Sequence, residues 1–321
     1  MVTVSAGARL HVGFQNLSLA HDRLYGGVGV GLAEPRTRIS AEPADGVSAS
    51  GQPVRRYATR AVERLGVSGV EIEVESSIPR HVGLGSGTQL ALAVYAATAL
   101  AHDRPLAIRS DAPELGRGGR SGVGVATFEA GGFVVDAGHP TTRFTTAPPE
   151  RGEWTVPPVV ARHDLPEAWR FVVVVPDATP GRSGDAEDAS IRTVIEDASP
   201  GVADEIAGVL TRRLLPAAAA GQLDDFGDAV ERIGRLNGTW YTETQGGVFR
   251  PPAGRLVEHL DEAPVLTGIG QSSWGPAVYG VTDRIHRDEA ENLARDSLDE
   301  LGLDGSVYVT RPAADGFQVH E

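Results

Sequence analysis

The sequence predicts an α+β fold of two domains, in which helices and antiparallel strands interleave through both halves. Three observations carry that prediction. Residues 69 to 75, GVEIEVE, alternate Val70, Ile72 and Val74 with Glu71, Glu73 and Glu75, the period of a strand with one buried and one wet face. Residues 88 to 101, TQLALAVYAATALA, are apolar or small nearly all round, as in a helix buried on most faces. With 321 residues, 41% of them hydrophobic, the chain can build two ordinary cores, and alternating rather than continuously apolar strands disfavour a doubly wound parallel sheet.

Taken in order, VTVSAGARLHVGF (2 to 14) and GGVGVGLAEPRTRISAE (26 to 42) read as two β runs separated by a polar turn. Residues 54 to 65, VRRYATRAVERL, have the spacing of a surface helix. The 69 to 75 strand then delivers a glycine loop and the buried helix, with Ser86 or Thr88 near its N-cap. A second glycine-dense stretch, GRGGRSGVGVATFEAGG, ends in a strand from Gly132 to Asp136. Residues 140 to 168 are rich in Pro, Thr and charge without a sustained period, so a boundary is expected near their end, giving domains at 1 to 165 and 166 to 321. Beyond it, WRFVVVVPD is a buried strand, the stretches beginning GVADEIAG and DDFGDAV are helical, and APVLTGIGQSSWGPAVYGVT is strand, glycine turn and then helix or strand. The end, AENLARDSLDELG then GSVYVTRPA, reads as helix then strand.

Composition excludes several chemistries. Cysteine is absent, which removes disulfides, a thiolate nucleophile and Cys-ligated metal; the nine histidines show no ligand spacing. Lysine is absent too, which removes a Walker A lysine and any Schiff base. All 29 basic residues are therefore Arg, against 43 acidic ones, for a net charge of −14. Such a surface suits work in concentrated salt, although codon bias toward Arg gives the same composition. It is a poor match for nucleic acid, since no basic stripe exists to release counterions. No run of about 18 apolar residues and no signal-peptide pattern appear, so no membrane partner is expected and the localisation predicted is cytoplasmic.

The informative stretch is PRHVGLGSGTQLALAV, where Gly83, Gly85 and Gly87 fall at alternate positions before the buried helix. A glycine turn feeding a helix start makes an anion site, because the first-turn N–H groups lack internal partners and the helix dipole favours negative charge. A Rossmann fingerprint does not fit, since the preceding strand alternates with glutamate and Asp103 follows a helix rather than a second strand.

This stretch resembles the phosphate loop of the GHMP small-molecule kinase superfamily, and SAGARLHVGF and LTGIGQSSWGPAVYG resemble its N- and C-terminal motifs in order and spacing. One departure separates the chain from the kinases. Where those with a catalytic aspartate carry Ser-Gly-x-Asp, this sequence has Ser121, Gly122, Val123 and Gly124. A glycine neither orients nor deprotonates a hydroxyl. The stretches RLHVGF, GRGGRSGVGVATFEAGGFVVDAGH, WRFVVVVPD, QGGVF and GIGQSSWGPAVYG are most similar to a non-kinase branch, the β-ribofuranosylaminobenzene 5′-phosphate synthase family of methanopterin biosynthesis, and the likeness spans nearly the whole chain.

The resemblance implies a GHMP-kinase-like two-domain fold, a ribosomal protein S5 domain 2-like N-terminal domain and a ferredoxin-like C-terminal one. It also implies condensation of phosphoribosyl pyrophosphate with 4-aminobenzoate or 4-hydroxybenzoate, releasing pyrophosphate and carbon dioxide, in an archaeal setting, to which the acidic, lysine-free composition adds a halophilic one. Such an enzyme takes Mg2+ with its pyrophosphate substrate, needs no nucleotide cofactor, and leaves room for a homodimer. Gly83, Gly85, Ser86, Gly87, Thr88 and Gln89 are then the phosphate loop. Arg117, Arg120, Ser121 and Gly124 form a second side of the substrate site, and Gln271, Ser272 and Ser273 of the C-terminal glycine turn add further phosphate- and substrate-binding groups. Arg9 and His11, beside Phe14, are the catalytic candidates, as cationic partners of the aromatic carboxylate. Residues 171 to 184 carry one acid, Asp177, where the ribose-binding loop of ordinary phosphoribosyltransferases has two adjacent ones, so no ribose loop is assigned there. The alternatives are an ATP-dependent kinase of the same fold using another base, or a catalytically inactive phosphometabolite-binding protein.

Charge gives the first testable consequence. A net charge of −14 with no lysine repels itself at low ionic strength, so the melting temperature is expected to rise steeply as potassium chloride is added. A flat profile would leave codon bias as the account of the missing lysine.

Overall fold

The computed structural model describes residues 1–146, 149–178 and 185–320. Two long strands open the chain, β1 (Val2–Asn16) and β2 (Arg23–Pro43), followed by β3 (Gly46–Ala49), α1 (Gln52–Leu65), β4 (Gly69–Ser76), α2 (Ser86–Ala101), α3 (Ile108–Asp111) and α4 (Val123–Ala130). Strands β5 (Phe133–Asp136), β6 (His139–Pro140), β7 (Val159–His163) and β8 (Trp169–Pro176) come next, then α5 (Asp185–Asp197) and α6 (Pro200–Val209). A π-helical turn, Leu210–Leu214, joins α6 to α7 (Leu215–Ala220), which leads to α8 (Leu223–Gln245) and α9 (Ala253–Asp261). The chain closes with β9 (Thr267–Gln271), β10 (Val278–Asp283), α10 (Arg287–Glu300), β11 (Gly305–Thr310) and β12 (Gln318–His320).

These strands make two sheets. The first runs β12-β1-β2-β4-β3, with β5 and β6 also paired to β2 and β7 paired to β5. The second is a four-stranded antiparallel sheet, β11-β8-β10-β9. The stretch from 263 to 282 therefore resolves as two strands about a turn. One hydrophobic cluster joins the two sheets, with Leu10, Val30 and Phe133 of the first packed together with Phe171, Val173, Tyr279 and Phe226. The C-terminal β12 returns to pair with β1, Val4 opposite Val319.

Local sequence explains why these elements pack so closely. In β2 the alternating Gly27, Gly29 and Gly31 lie on one face, because successive residues of a strand point to opposite sides. A Cβ on Gly29 would stand 2.7 Å from Val123, and one on Gly27 would collide with the side chain of Ser121. Dispensing with those side chains lets the start of α4 lie directly on the sheet. Helix α2 is buried from Gln89 to Thr98 and beyond, as its all-round apolar composition predicts. It is held past its midpoint by a polar knot: Tyr95 donates to buried Asp111 at 2.5 Å, and Arg64 pairs with the same carboxylate at 2.8 Å. The helix that starts the glycine loop's anion site is thus a fixed strut, not a surface helix.

Candidate active site

The glycine loop is pinned from two sides. On the β1 side, the Arg9 N–H donates to the Leu84 carbonyl at 3.1 Å and its guanidinium Nη1 to the Gly83 carbonyl at 2.9 Å. From the C-terminal glycine turn, the Ser272 hydroxyl donates to the same Gly83 carbonyl at 2.8 Å, and the Ala277 N–H reaches Val82 at 3.1 Å. The two pinning segments are themselves joined, since His11 N–H donates to Ser272 Oγ and Ser273 N–H to the His11 carbonyl, both at 3.1 Å. Gly83 has φ +97°, and a Cβ there would lie 2.1 Å from the Ser272 carbonyl oxygen, so both conformation and space demand glycine. The motifs near residues 9, 83 and 272 are therefore one structure.

The cap of α2 is Gly85, in the left-handed region at φ 74°, and no side chain caps the helix start. Thr88 and Gln89 N–H turn back to the Gly85 carbonyl. Ser86 and Thr88 sit inside the first turn rather than capping it, and the amides of Ser86 and Gly87 precede the first intrahelical bond. Over this helix start lie two arginines. The Arg9 side chain occupies the place a Gly85 Cβ would need, at 2.7 Å, and the Arg117 guanidinium stands 3.3 Å from where a Gly87 Cβ would be. Arg117 also stacks over Tyr57, 5.1 Å from its ring centre. Together they face a polar cleft of about 1560 Å³, whose walls include Arg9, Gly83, Gly85, Ser86, Gly87, Thr88, Arg117 and Ser273. Uncapped amides, hydroxyls and two guanidinium groups converging on one space make a site for a multiply charged phosphate.

Adjoining the cleft is a small slot of about 40 Å³ with aromatic walls. His11 meets Phe14 edge-on at 4.9 Å, Tyr241 meets Trp274 edge-on at 4.5 Å, and Asn237 and Gln271 complete the lining. Ser273 and Trp274 belong to both spaces, so slot and cleft adjoin. His11 is only 4% exposed, and its pKa is held well below the ordinary histidine value, first by burial and then by the neighbouring Arg9 charge. That direction favours the neutral imidazole and disfavours the cationic role expected of His11, whereas Arg9 keeps its charge.

Not every residue read from the sequence reaches the cleft. Ser272 is wholly buried, with its hydroxyl already committed to Gly83 and His11, so it positions the loop and presents nothing to a phosphate. Gln89 is buried and donates to the Gly124 carbonyl at 3.0 Å. Gly124 lies beneath the loop, where a Cβ would stand 3.2 Å from the Thr88 methyl, and it does not line the cleft. Arg117 and Arg120 diverge: Arg117 borders the cleft, whereas Arg120 does not, and its charge acts on Tyr25. Asp177 donates its N–H to the Asp304 carbonyl at 2.7 Å, and residues 179–184 of the stretch compared with a ribose loop lie outside the described residues.

Two positioning residues escaped the sequence reading. Asp136 is fully buried and accepts from Gly122 N–H at 2.7 Å, Ser121 Oγ at 3.1 Å and Gly138 N–H at 2.8 Å, which fixes the start of α4 on the end of β5. An acid closing the apolar strand FVVD was the available signal. Asn237, on α8, accepts from Phe14 N–H at 2.7 Å and donates to the Phe14 carbonyl at 2.9 Å, holding the irregular end of β1 where the slot forms. Nothing in its helical context marked that role. Among the described residues no group of three or more His, Asp or Glu side chains could hold a metal ion, and no helix is long and apolar enough to cross a membrane.

Comparison with known proteins agrees with this architecture. Residues 54–132 match the family model described as the GHMP kinases N terminal domain. Over 99% of each chain, this protein is 34% identical to the beta-ribofuranosylphenol 5'-phosphate synthase of Archaeoglobus fulgidus. It is 33% identical to that of Methanothermobacter thermautotrophicus over 87% of this chain and 88% of the relative. Among solved structures, Streptococcus pneumoniae phosphomevalonate kinase in complex with phosphomevalonate and AMPPNP superposes with a TM-score of 0.70 at 12% identity, covering 97% of this chain and all of that one. The fold is accordingly the two-sheet α+β arrangement of the GHMP kinases.

Asp136 generates a pH prediction. Burial raises its pKa to about 6, outweighing the backbone donors of Gly138, Gly122 and Gly27 and the Ser121 hydroxyl, which pull it down. A folded value above the unfolded one means that folding takes up a proton between the two. Stability at this site therefore grows as pH falls through about 6 and levels off below the ordinary aspartate value. In Asp136→Asn this component of the melting-temperature profile between pH 4 and 7 should vanish, and an unchanged profile would refute the assignment.

Proposed function

The chain belongs to the beta-ribofuranosylphenol 5'-phosphate synthase family, and from that premise we propose that it joins phosphoribosyl pyrophosphate to 4-hydroxybenzoate, releasing pyrophosphate and carbon dioxide. The phenol in the relatives' name supports 4-hydroxybenzoate over 4-aminobenzoate, because a ring that keeps its para hydroxyl and loses its carboxylate becomes a phenol. The observation that carries the reading is the junction of two unlike spaces: a cationic, amide-lined cleft and an aromatic slot that share Ser273 and Trp274.

Loss of pyrophosphate from ribose C1 passes through an oxocarbenium-like state, so the protein must hold a highly charged leaving group and keep water away. The Ser86 and Gly87 amides, the Thr88 hydroxyl and the guanidinium groups of Arg9 and Arg117 suit that work. Their donor set is entirely positive or N–H and O–H, which fits an anion and not a bare cation. Magnesium, bound together with the pyrophosphate group, would supply charge neutralisation there, with the Ser86 and Gly87 amides, Arg9 and Arg117 holding the remaining phosphate charge. The aromatic acid binds at the edge of the cleft that Trp274 borders and attacks C1 through its carboxylate-bearing carbon.

A kinase would need a group to orient the acceptor hydroxyl. Gly124 offers none, and the Asp136 carboxylate is engaged by Ser121, Gly122 and Gly138. The test is direct: protein, magnesium, phosphoribosyl pyrophosphate and carboxyl-labelled 4-hydroxybenzoate should release labelled carbon dioxide and pyrophosphate in equal amounts, unaffected by ATP. Formation of ADP from ATP and an alcohol, without carbon dioxide from the benzoate, would return the protein to the kinases. Tight phosphoribosyl pyrophosphate binding without any turnover would make it a binding protein.

A further inference from the structure

The glycine loop takes the left-handed backbone conformation three times, at residues 81, 83 and 85, with φ of 60°, 97° and 74°. Glycine fills the last two, and at both a Cβ would collide, with the Ser272 carbonyl oxygen or with the Arg9 side chain. The first is His81. A side chain in that region costs conformational energy that glycine would not, and such residues cluster at functional sites. Four non-glycine residues have positive φ among the described residues, and two of them, His81 and Ser273, border the cleft. Ser273 is held there by the clamp, its N–H on the His11 carbonyl and its own carbonyl accepting from the Gln271 amide. The backbone of His81 makes no hydrogen bond among the described residues, so the position is distinguished by its side chain.

That side chain is exposed, and among the described residues it is the one histidine lining the cleft, which it shares with Ser86, Gly87, Arg9 and Arg117. Arg80, also on the cleft wall, stands 3.4 Å from His81 Nε2. A guanidinium only donates, so Nε2 accepts in that contact and Nδ1–H is the ring's donor. We propose that His81 is a further phosphate ligand of the cleft, its imidazole donating beside Arg80 to a phosphate group of the bound substrate.

This rests on the reading that the cleft takes phosphoribosyl pyrophosphate, which carries two separate anionic groups, the pyrophosphate on C1 and the 5′-phosphate. The cleft, at about 1560 Å³, exceeds the roughly 300 to 1,000 Å³ of an ordinary small-molecule site, so it has room for both. Glu42, Glu71 and Glu73 line it too and repel phosphate from the parts they border. Arg80 and His81 lie on the chain that leads into the Gly83 turn, and add donors to the wall where the first-turn amides, Arg9 and Arg117 already gather. Glycine at 81 would allow the same backbone and supply no donor.

Titration calorimetry with magnesium and either inorganic pyrophosphate or ribose 5-phosphate tests this on wild type, His81→Gly and His81→Asn. Glycine suits the left-handed backbone and removes the donor, whereas asparagine is tolerated there and keeps an N–H. His81→Gly should melt at or above the wild-type temperature and bind one of the two ligands about tenfold more weakly, the loss of one charge-assisted hydrogen bond. His81→Asn should return to within about threefold of wild type. The ligand affected tells which phosphate meets His81. Unchanged affinity for both ligands in His81→Gly, a loss of affinity that comes with a lower melting temperature, or a loss that His81→Asn does not recover would overturn the proposal. Carbon dioxide release from carboxyl-labelled 4-hydroxybenzoate, followed on the same proteins, separates this contact from the reaction. A wild type that binds either ligand through His81 yet releases no carbon dioxide would sink the proposed reaction and leave the His81 contact standing.

Discussion

Everything at this site depends on one carbonyl. The oxygen of Gly83 accepts from Arg9 and from Ser272, residues 74 positions before it and 189 after it, and the space a side chain would fill at Gly83 is occupied by the Ser272 backbone. The loop is therefore not a flexible flap. It is clamped between β1 and the β9–β10 turn while α2, buried along most of its length, holds it from behind. A clamp of this kind sets the orientation of the first-turn amides before any ligand arrives, which is the condition under which backbone dipoles stabilise charge without reorganising.

The clamp also separates two environments only one turn of chain apart. Arg9 and His11 are two residues apart on β1 and differ in surroundings: Arg9 reaches into the polar cleft over Gly85, while burial among aromatics favours the neutral ring of His11. The two environments meet at Ser273 and Trp274, which border both. Gly124, where this sequence departs from the kinase pattern it resembles, lies outside that cleft. Gly124 sits under Thr88, and its carbonyl takes the Gln89 amide, so the position supports the helix start from below.

Much of this was legible from residues alone, and what was not has a physical reason. Alternation in β4, the apolar run of α2 and the glycines between them declare strand, turn and buried helix through local periodicity. Family likeness added that residues near 9, 83 and 272 cooperate. Which atoms cooperate was hidden, because it depends on approach distances. Ser272 looked like a phosphate ligand and is a buried tie; Arg120 looked like a twin of Arg117 and stands away from the cleft. Asp136 lies twelve residues beyond Gly124 along the chain, yet β5 folds it back onto Ser121 and Gly122. Protonation states were equally invisible, since the preference of His11 for the neutral ring arises from burial that only the tertiary packing supplies.

The account stands on preorganisation of the loop by its clamp, and Ser272→Ala measures that most directly. The substitution removes one donor from the Gly83 carbonyl and the acceptor of the His11 N–H, while touching nothing that a ligand could reach. Titration calorimetry with phosphoribosyl pyrophosphate and magnesium should show the dissociation constant rising about tenfold, or roughly 1.4 kcal/mol, in a protein that still unfolds cooperatively. An unchanged dissociation constant in a folded Ser272→Ala protein would contradict the account, since the loop would then hold its ligand without the clamp.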